Sequence, residues 1–336
     1  MSDSFIYKLT SGKPIKFLYY LSKSAGLAIP NAFYRMRLNG LLAKAKKRPD
    51  YGYMKERVDY YMKINEPFRV ADEDKGVRNS GWYFYTGPMD GFKLKTFHSA
   101  YFFDQHDVTR WFPKRLRWNY CPGDVYFNME EPTMVKSRLL TGDNTNSIIL
   151  KLDKLRHFIF VHDKKTFRQK KDMAIYRGKI RQSRVRTTFL RKFFGHPMFD
   201  CGVVGRNEGC PEEWMSPKKT ISEHLEYKFI MSLEGNDVAS NLKWVMSSNS
   251  LAVMTRPTCE TWFMEGKLKA GYHYVEVKED FSDLEEKLQY YIDNPDKAEE
   301  IIAHAHEFVN QFLDKKRENL LQLMVMDKFL RLSGQR

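Results

Sequence analysis

Arg177 and Gly178 close a short apolar run, MAIYRG (173–178), inside the most basic stretch of the chain: residues 151–200 hold 15 Lys and Arg against 4 Asp. An arginine at the carboxyl end of a strand, beside a residue without a side chain, lets guanidinium and backbone both approach a phosphate. The run VRTTFLRKFF (185–194) that follows reads as a helix, whose N-terminus adds its dipole. The same charges also read as a solvated basic face for lipid headgroups or RNA, and this segment alone does not choose between the two. A second cluster lies in LEGNDVASNLKWVM (233–246), where Asn236, Asp237, Ser240 and Asn241 gather at an expected helix start with Lys243 just inside it. Capping accounts for part of that set. Four polar residues and a lysine exceed a cap, and they suit ribose and diphosphate contacts. A third segment, RPTCETWFMEG (256–266), carries Glu260, which either caps a helix or grips the hydroxyls of a ribose or hexose.

These residues need elements to hold them, and the C-terminal half supplies a regular alternation. Strand-like runs at 173–178, 198–205, 227–235, 250–257 and 272–277 are separated by helical candidates at 185–194, 220–227, 238–248 and 259–266. Such alternation predicts a parallel sheet wound with helices, whose ligands bind beyond the carboxyl ends of the strands. A further helix is expected over 281–294, with Ser282 as N-cap and Glu285 in the capping-box position. Residues 295–331 continue with a helical period. The N-terminal half is rich in aromatics and less regular; WYFYTG (82–87), AYFFDQ (100–105) and VYFNM (125–129) read as short strands. The expected organisation is therefore 1–150, 151–310 and a terminal helix at 311–336 that packs across the domains.

Composition bounds the function. With 336 residues and 42% hydrophobic content the chain can bury a core, and its net charge of +14 points to an anionic partner. Four scattered cysteines predict free thiols rather than a disulfide scaffold. Near the N-terminus, Ile15 and Phe17 to Leu21 stand among Lys8, Lys13, Lys16 and Lys23; these charges break every apolar run before a membrane-spanning length of about 20 residues. That segment either lies on an anionic membrane surface or packs on the protein's own core. Asp72-Glu73-Asp74 spells a metal-binding DxD, but it sits in a charged loop with no apolar strand before it and reads as a solvated turn. His304 and His306 fall on different faces of one helix. The motifs of P-loop NTPases, zinc peptidases, serine hydrolases and ordinary dehydrogenases are missing.

Taken in order, YRGK, LEGNDVASNLKWVMSSNSLAVM and EGKLKAGYHYVEVKEDFSDLEEK resemble glycosyltransferase family 90, and the likeness extends back through CPGDVYFNMEEPTMVKSR (121–138). The chain is most similar to the bacterial lipopolysaccharide core branch. The resemblance implies an α/β, GT-B-like enzyme with two Rossmann-like domains facing a central cleft, the C-terminal one clearer. It implies a UDP-sugar, UDP-glucose or UDP-galactose, in the C-terminal domain and transfer with inversion, without a metal or other cofactor, to a lipopolysaccharide inner-core acceptor. By the same resemblance Asp124, in PGDV, is the general base, with Glu130 and Glu131 as rivals. Arg177, Lys243 and the helix near Ser240 would stabilise the UDP leaving group. Animal members carry an arginine where Asn241 falls, so the diphosphate contact there is either weaker or supplied by another residue such as Arg184. The expected location is the cytoplasmic face of a bacterial inner membrane, held by the anionic surface, with no nucleic-acid partner. The competing reading is a basic RNA- or membrane-binding protein whose Rossmann-like half has no catalytic role.

Overall fold

A computed structural model describes residues 15–79, 82–180, 183–205 and 209–336. Lys8 and Lys13 of the N-terminal segment lie outside the described residues, as does Arg181 of the basic stretch.

In chain order, helices α1 (Lys16–Leu27), α2 (Asn31–Ala45) and α3 (Tyr51–Tyr61) precede strands β1 (Lys75–Asn79) and β2 (Trp82–Pro88). Next come α4 (Ser99–Thr109), β3 (Arg117–Cys121), β4 (Thr133–Val135), β5 (Ser137–Leu139) and β6 (Ser147–Ile149). The C-terminal half runs β7 (Lys171–Gly178), α5 (Arg184–Phe193), β8 (Phe199–Val203), β9 (Tyr227–Met231), α6 (Leu242–Met246), β10 (Leu251–Met254), β11 (Cys259–Thr261) and β12 (Val275–Glu276). It ends in α7 (Leu284–Asp293), α8 (Pro295–Asn310) and α9 (Lys315–Leu332). The chain forms two compact units. One holds Lys16–Lys154 with Cys259–Phe263 and Phe312–Arg336; the other is built on Leu155–Thr258 and Met264–Gln311.

The C-terminal unit carries a five-stranded sheet in the order β12-β10-β9-β7-β8, every pairing parallel. Numbered from β7, that order is 2-1-3-4-5, so the direction of winding reverses between β7 and β9. Every residue of β9 and β10 is buried, as expected for strands covered on both faces. Phe189, Leu190 and Phe193 on α5 join Ala174, Phe229 and Val253 in one core. Helix α5 starts where the Ser183 hydroxyl accepts from the Arg186 amide, and it stops before Gly195, whose φ of 80° would strain a side chain.

The N-terminal unit contains a mixed sheet, β1-β2-β3-β4-β6, antiparallel across β1-β2-β3 and parallel across β3-β4-β6. A separate antiparallel pair joins β5 to β11. The four cysteines are free.

Four sequence expectations change here. AYFFDQ is helical, within α4, because Tyr101, Gln105 and Val108 bury at helical spacing. VYFNM is not a strand: the amides of Val125 and Met129 donate to the hydroxyls of Ser137 and Ser147 instead of to a ladder. The 259–266 helix is replaced by β11, followed by Met264 at φ 58°. Ser282 does not cap α7: Phe281 turns at φ 57°, and the Asp280 and Asp283 carboxylates accept from the Ser282 and Lys278 amides.

A buried charge cluster ties helices α3 and α9 of the N-terminal unit. Glu318 accepts from Arg57 at 2.6 Å and from the Trp262 indole at 2.6 Å, with Lys151 at 3.2 Å; Arg57 and Glu318 are each 2% exposed or less. Removing one partner of such a pair strands the other charge in a poorly solvated site. Glu318→Ala is expected to lower unfolding free energy by about 3–5 kcal/mol, read from the urea midpoint, whereas breaking the exposed pair Lys297–Glu300 should leave that midpoint in place.

Candidate active site

In a parallel sheet the reversal of winding leaves a crevice beyond the carboxyl ends of the two strands concerned. Here those strands are β7 and β9. The Arg186 guanidinium occupies that place: Nη1 donates to the Lys179 carbonyl at 2.7 Å, and Nη2 and Nε donate to the Leu233 carbonyl at 2.9 and 3.3 Å. The Ser183 hydroxyl donates to the Glu234 carbonyl at 2.9 Å, adding a second tie between the two loops. Gly235 is what permits this approach, since a Cβ there would meet Nη2 at 2.8 Å and Cζ at 3.0 Å. The Glu234 carboxylate in turn accepts from the Thr258 amide at 3.1 Å and hydroxyl at 2.6 Å, so the loop after β10 is fixed to the loop after β9.

Among the sequence-predicted residues, Gly178, Arg184, Asn236, Asp237 and Ser240 fall on these loops. Gly178 is the last residue of β7, and a Cβ there would strike the Tyr176 phenol at 2.5 Å. Arg184 is exposed at the first turn of α5, and Asn236 is exposed beside Gly235. Ser240 is half-buried and Asp237 is buried. Lys179 is also exposed just past the end of β7, whereas Arg256, after β10, is exposed but paired with Glu276 at 3.2 Å.

Arg177, Asn241 and Lys243 are turned to other partners. Arg177 forms an ion pair with Asp200 and donates to the carbonyls of Asp200 and Tyr176 at 2.8 and 2.9 Å. Burial alone would raise Asp200, but the Tyr227 hydroxyl and the Arg177 guanidinium hold it below the usual carboxylate range. Asn241 donates to the Met231 carbonyl at 3.0 Å. Lys243 is fully buried and pairs with Glu265. The helix expected from Ser240 onward is α6, five residues beginning at Leu242, too short to present a sizeable dipole.

Glu260 and Asp124 belong to the N-terminal unit. Glu260 is 1% exposed on β11, with Arg138 donating to Oε1 at 2.8 Å and the Tyr60 hydroxyl donating to Oε2. Both carboxylate oxygens are engaged, so it neither caps a helix nor presents itself to a sugar. Asp124 stands beyond the carboxyl end of β3, and Lys136 beyond that of the parallel neighbour β4. The buried Lys136 ammonium pairs with the Asp124 carboxylate, which keeps 19% side-chain exposure. Ser137 exchanges hydrogen bonds with the backbone of Val125 at 3.0 and 2.9 Å, and the Trp82 indole donates to the Asp124 carbonyl at 3.0 Å. Lys136 and Ser137 thus hold Asp124 and Val125 of PGDV, leaving the Asp124 carboxylate partly exposed. Glu130 and Glu131 follow further along that loop; their backbone carbonyls accept from Asn146 and Thr133.

Sequence reasoning missed Arg186, Lys136 and Arg138. Each is one basic residue among many, and only the placement of its acceptor distinguishes it. The Asp72–Asp74 turn is a loop in which Asp74 is exposed and pairs with Arg117 at 2.7 Å. Among the described residues no group of three or more His, Cys, Asp or Glu is placed to hold a metal ion.

The Arg186–Gly235 contact makes a double-mutant test. Arg186→Met and Gly235→Ala are each expected to cost about 1–3 kcal/mol of stability, one by removing hydrogen bonds and the other by displacing them. Gly235→Ala in the Arg186→Met background should cost much less, because nothing remains for the Cβ to strike. Equal costs in both backgrounds, from urea denaturation, would mean that the contact is not what selects glycine.

Comparison with known proteins places the chain in a family. The model of the family described as "Glycosyl transferase family 90" matches residues 144–329, more than half of the chain. The "O-glucosyltransferase LpsA" of Dichelobacter nodosus is 39% identical over 282 residues, 83% of each chain. Human "Protein O-glucosyltransferase 1" is 27% identical over 114 residues, 30% of this chain and 28% of its own length. A family model spanning both loops of the β7–β9 crevice, together with a relative matched over most of both lengths, makes the chain a member of glycosyltransferase family 90.

Proposed function

We propose that the chain is an inverting, metal-independent hexosyltransferase that moves glucose or galactose from its UDP-sugar to a lipopolysaccharide or lipooligosaccharide inner-core acceptor. The observation that carries this reading is the β7–β9 reversal itself, its two loops tied by Arg186 and its lip carrying the exposed Lys179 and Arg184, a placement suited to a nucleoside diphosphate. The printed name of the Dichelobacter nodosus relative favours glucose.

In this reading the loops after β7 and β9 hold the donor. The exposed Arg184 and Asn236 side chains take the diphosphate, while Gly178 lets β7 close against the Tyr176 phenol. Asp237 and Ser240 take polar contacts at the lip. Arg177, Asn241 and Lys243, engaged as they are, keep strands and loops in register, and Glu260 does the same for β5 and β11. Asp124 acts as general base. The acceptor hydroxyl oxygen attacks the anomeric carbon, its proton passes to the Asp124 carboxylate, and the bond to the diphosphate oxygen breaks with inversion. Negative charge then grows on UDP, where the exposed Arg184 and Lys179 stabilise it. Lys136 is a positioning residue that holds the carboxylate toward the acceptor. A net charge of +14 suits a phosphorylated acceptor at an anionic surface.

The test is UDP release and product formation from a panel of UDP-sugars, with and without EDTA. Activity with one hexose, insensitive to EDTA, is expected. Asp124→Asn should lower transfer by about 10²–10⁴-fold while UDP binding by calorimetry is unchanged. Lys136→Met should lower kcat with little change in donor KM. An Asp124→Asn enzyme with near-normal turnover would remove Asp124 as the base, and a chain that binds no UDP-sugar would remove the whole reading.

A further inference from the structure

Helices α1 and α2 leave an unusually apolar surface uncovered. Phe17 is 70% exposed, Leu18 and Leu21 54% each, and Met36 on α2 76%; Leu27, Ile29 and Phe33 are exposed beside them. At about 100° per residue, Phe17, Leu18 and Leu21 lie within one arc of about 100° on α1. The opposite arc is docked on the N-terminal unit. Tyr19 donates to Asp104 at 2.8 Å, Lys23 pairs with Asp107, and Arg110 donates to the carbonyls of Gly26 and Ile29 at 3.0 and 2.8 Å. The helix is therefore anchored with its apolar side outward. Exposed apolar side chains gathered on one arc of an anchored helix mark something that covers them.

Charge says what. From Lys16 to Arg48 the chain contains no Asp or Glu. Lys16 on α1, Arg37 and Lys44 on α2, and Lys46 and Lys47 just past its end are exposed. Apolar side chains projecting beside uncompensated cations fit the boundary between acyl chains and anionic headgroups, where the first insert and the second stay in the headgroup layer. Among the described residues no helix is long and apolar enough to cross a membrane, so the contact is one of surface docking. We propose that the outer face of α1 and α2 is a docking surface for an anionic lipid bilayer. Phe17, Leu18, Leu21, Phe33 and Met36 are its inserted residues. The proposal does not depend on the donor site or on Asp124.

The test is sedimentation of the full chain with vesicles of phosphatidylglycerol and phosphatidylcholine, compared with phosphatidylcholine alone. Wild type should bind the anionic vesicles and lose roughly tenfold in affinity on phosphatidylcholine. Phe17→Ser, Leu18→Ser and Leu21→Ser combined should lose roughly tenfold or more on anionic vesicles with an unchanged melting temperature, because these side chains are exposed. Arg37→Gln, Lys44→Gln and Lys47→Gln combined should bind both vesicle types equally and weakly. Anionic-vesicle binding that survives the triple serine variant overturns the proposal. So does a wild-type chain that ignores vesicles but elutes as a dimer which the serine variant dissociates, since the face would then belong to a second copy.

Discussion

One guanidinium sets the geometry of the C-terminal unit's ligand face. The carbonyls of Lys179 and Leu233 end two parallel strands at the point where the winding reverses, and Arg186 satisfies both. Carbonyls at strand ends have no ladder partner and must find another donor or water. Supplying that donor from the first turn of α5 links strand, helix and loop in a single step. It requires that the facing residue have no side chain, which Gly235 provides. The position of Ser183, the tie from Glu234 to Thr258 and the exposure of Arg184 and Asn236 all follow from loops held in that way.

The N-terminal unit uses the same device with charged groups. Lys136, Ser137 and Arg138 are consecutive, and they reach two segments: the first two hold Asp124 and the backbone of Val125, and the third holds Glu260. Buried ion pairs contribute little net stability once desolvation is counted, but losing one partner is costly, so they define a conformation more than they deepen it. The outcome is a short loop at the carboxyl end of β3 whose carboxylate is fixed in place while remaining partly open to solvent. That combination suits a group that must accept a proton from an incoming molecule.

The C-terminal sheet was legible because fully buried parallel strands write themselves as apolar runs. YKFIMSLEG and SLAVMTRP contain the fully buried β9 and β10, and MAIYRG lies within β7 over its buried centre. The aromatic N-terminal half was not. AYFFDQ has the composition of a strand, but its burial follows a helical period that emerges only once Tyr101, Gln105 and Val108 find a core. Site residues divided along similar lines. Gly178, Arg184 and Asn236 stand on the loops where their position in the pattern put them. Lys243 and Glu260 carry the same residue types but are consumed by Glu265 and by Arg138 with Tyr60. A sequence gives a charge and not its counter-charge, so basic and acidic residues 22 or 122 positions apart are paired only by the fold. Arg186 was lost among its basic neighbours for that reason.

The central claim is that a nucleoside diphosphate sits at the reversal between β7 and β9. Backbone amide exchange with and without UDP tests it most directly. The account predicts that UDP slows exchange at Gly178–Ile180, Ser183–Arg186 and Glu234–Asn241, with the amides of β9 and β10 unchanged. UDP that binds but leaves these loops exchanging at their free rate, with protection elsewhere, would contradict it.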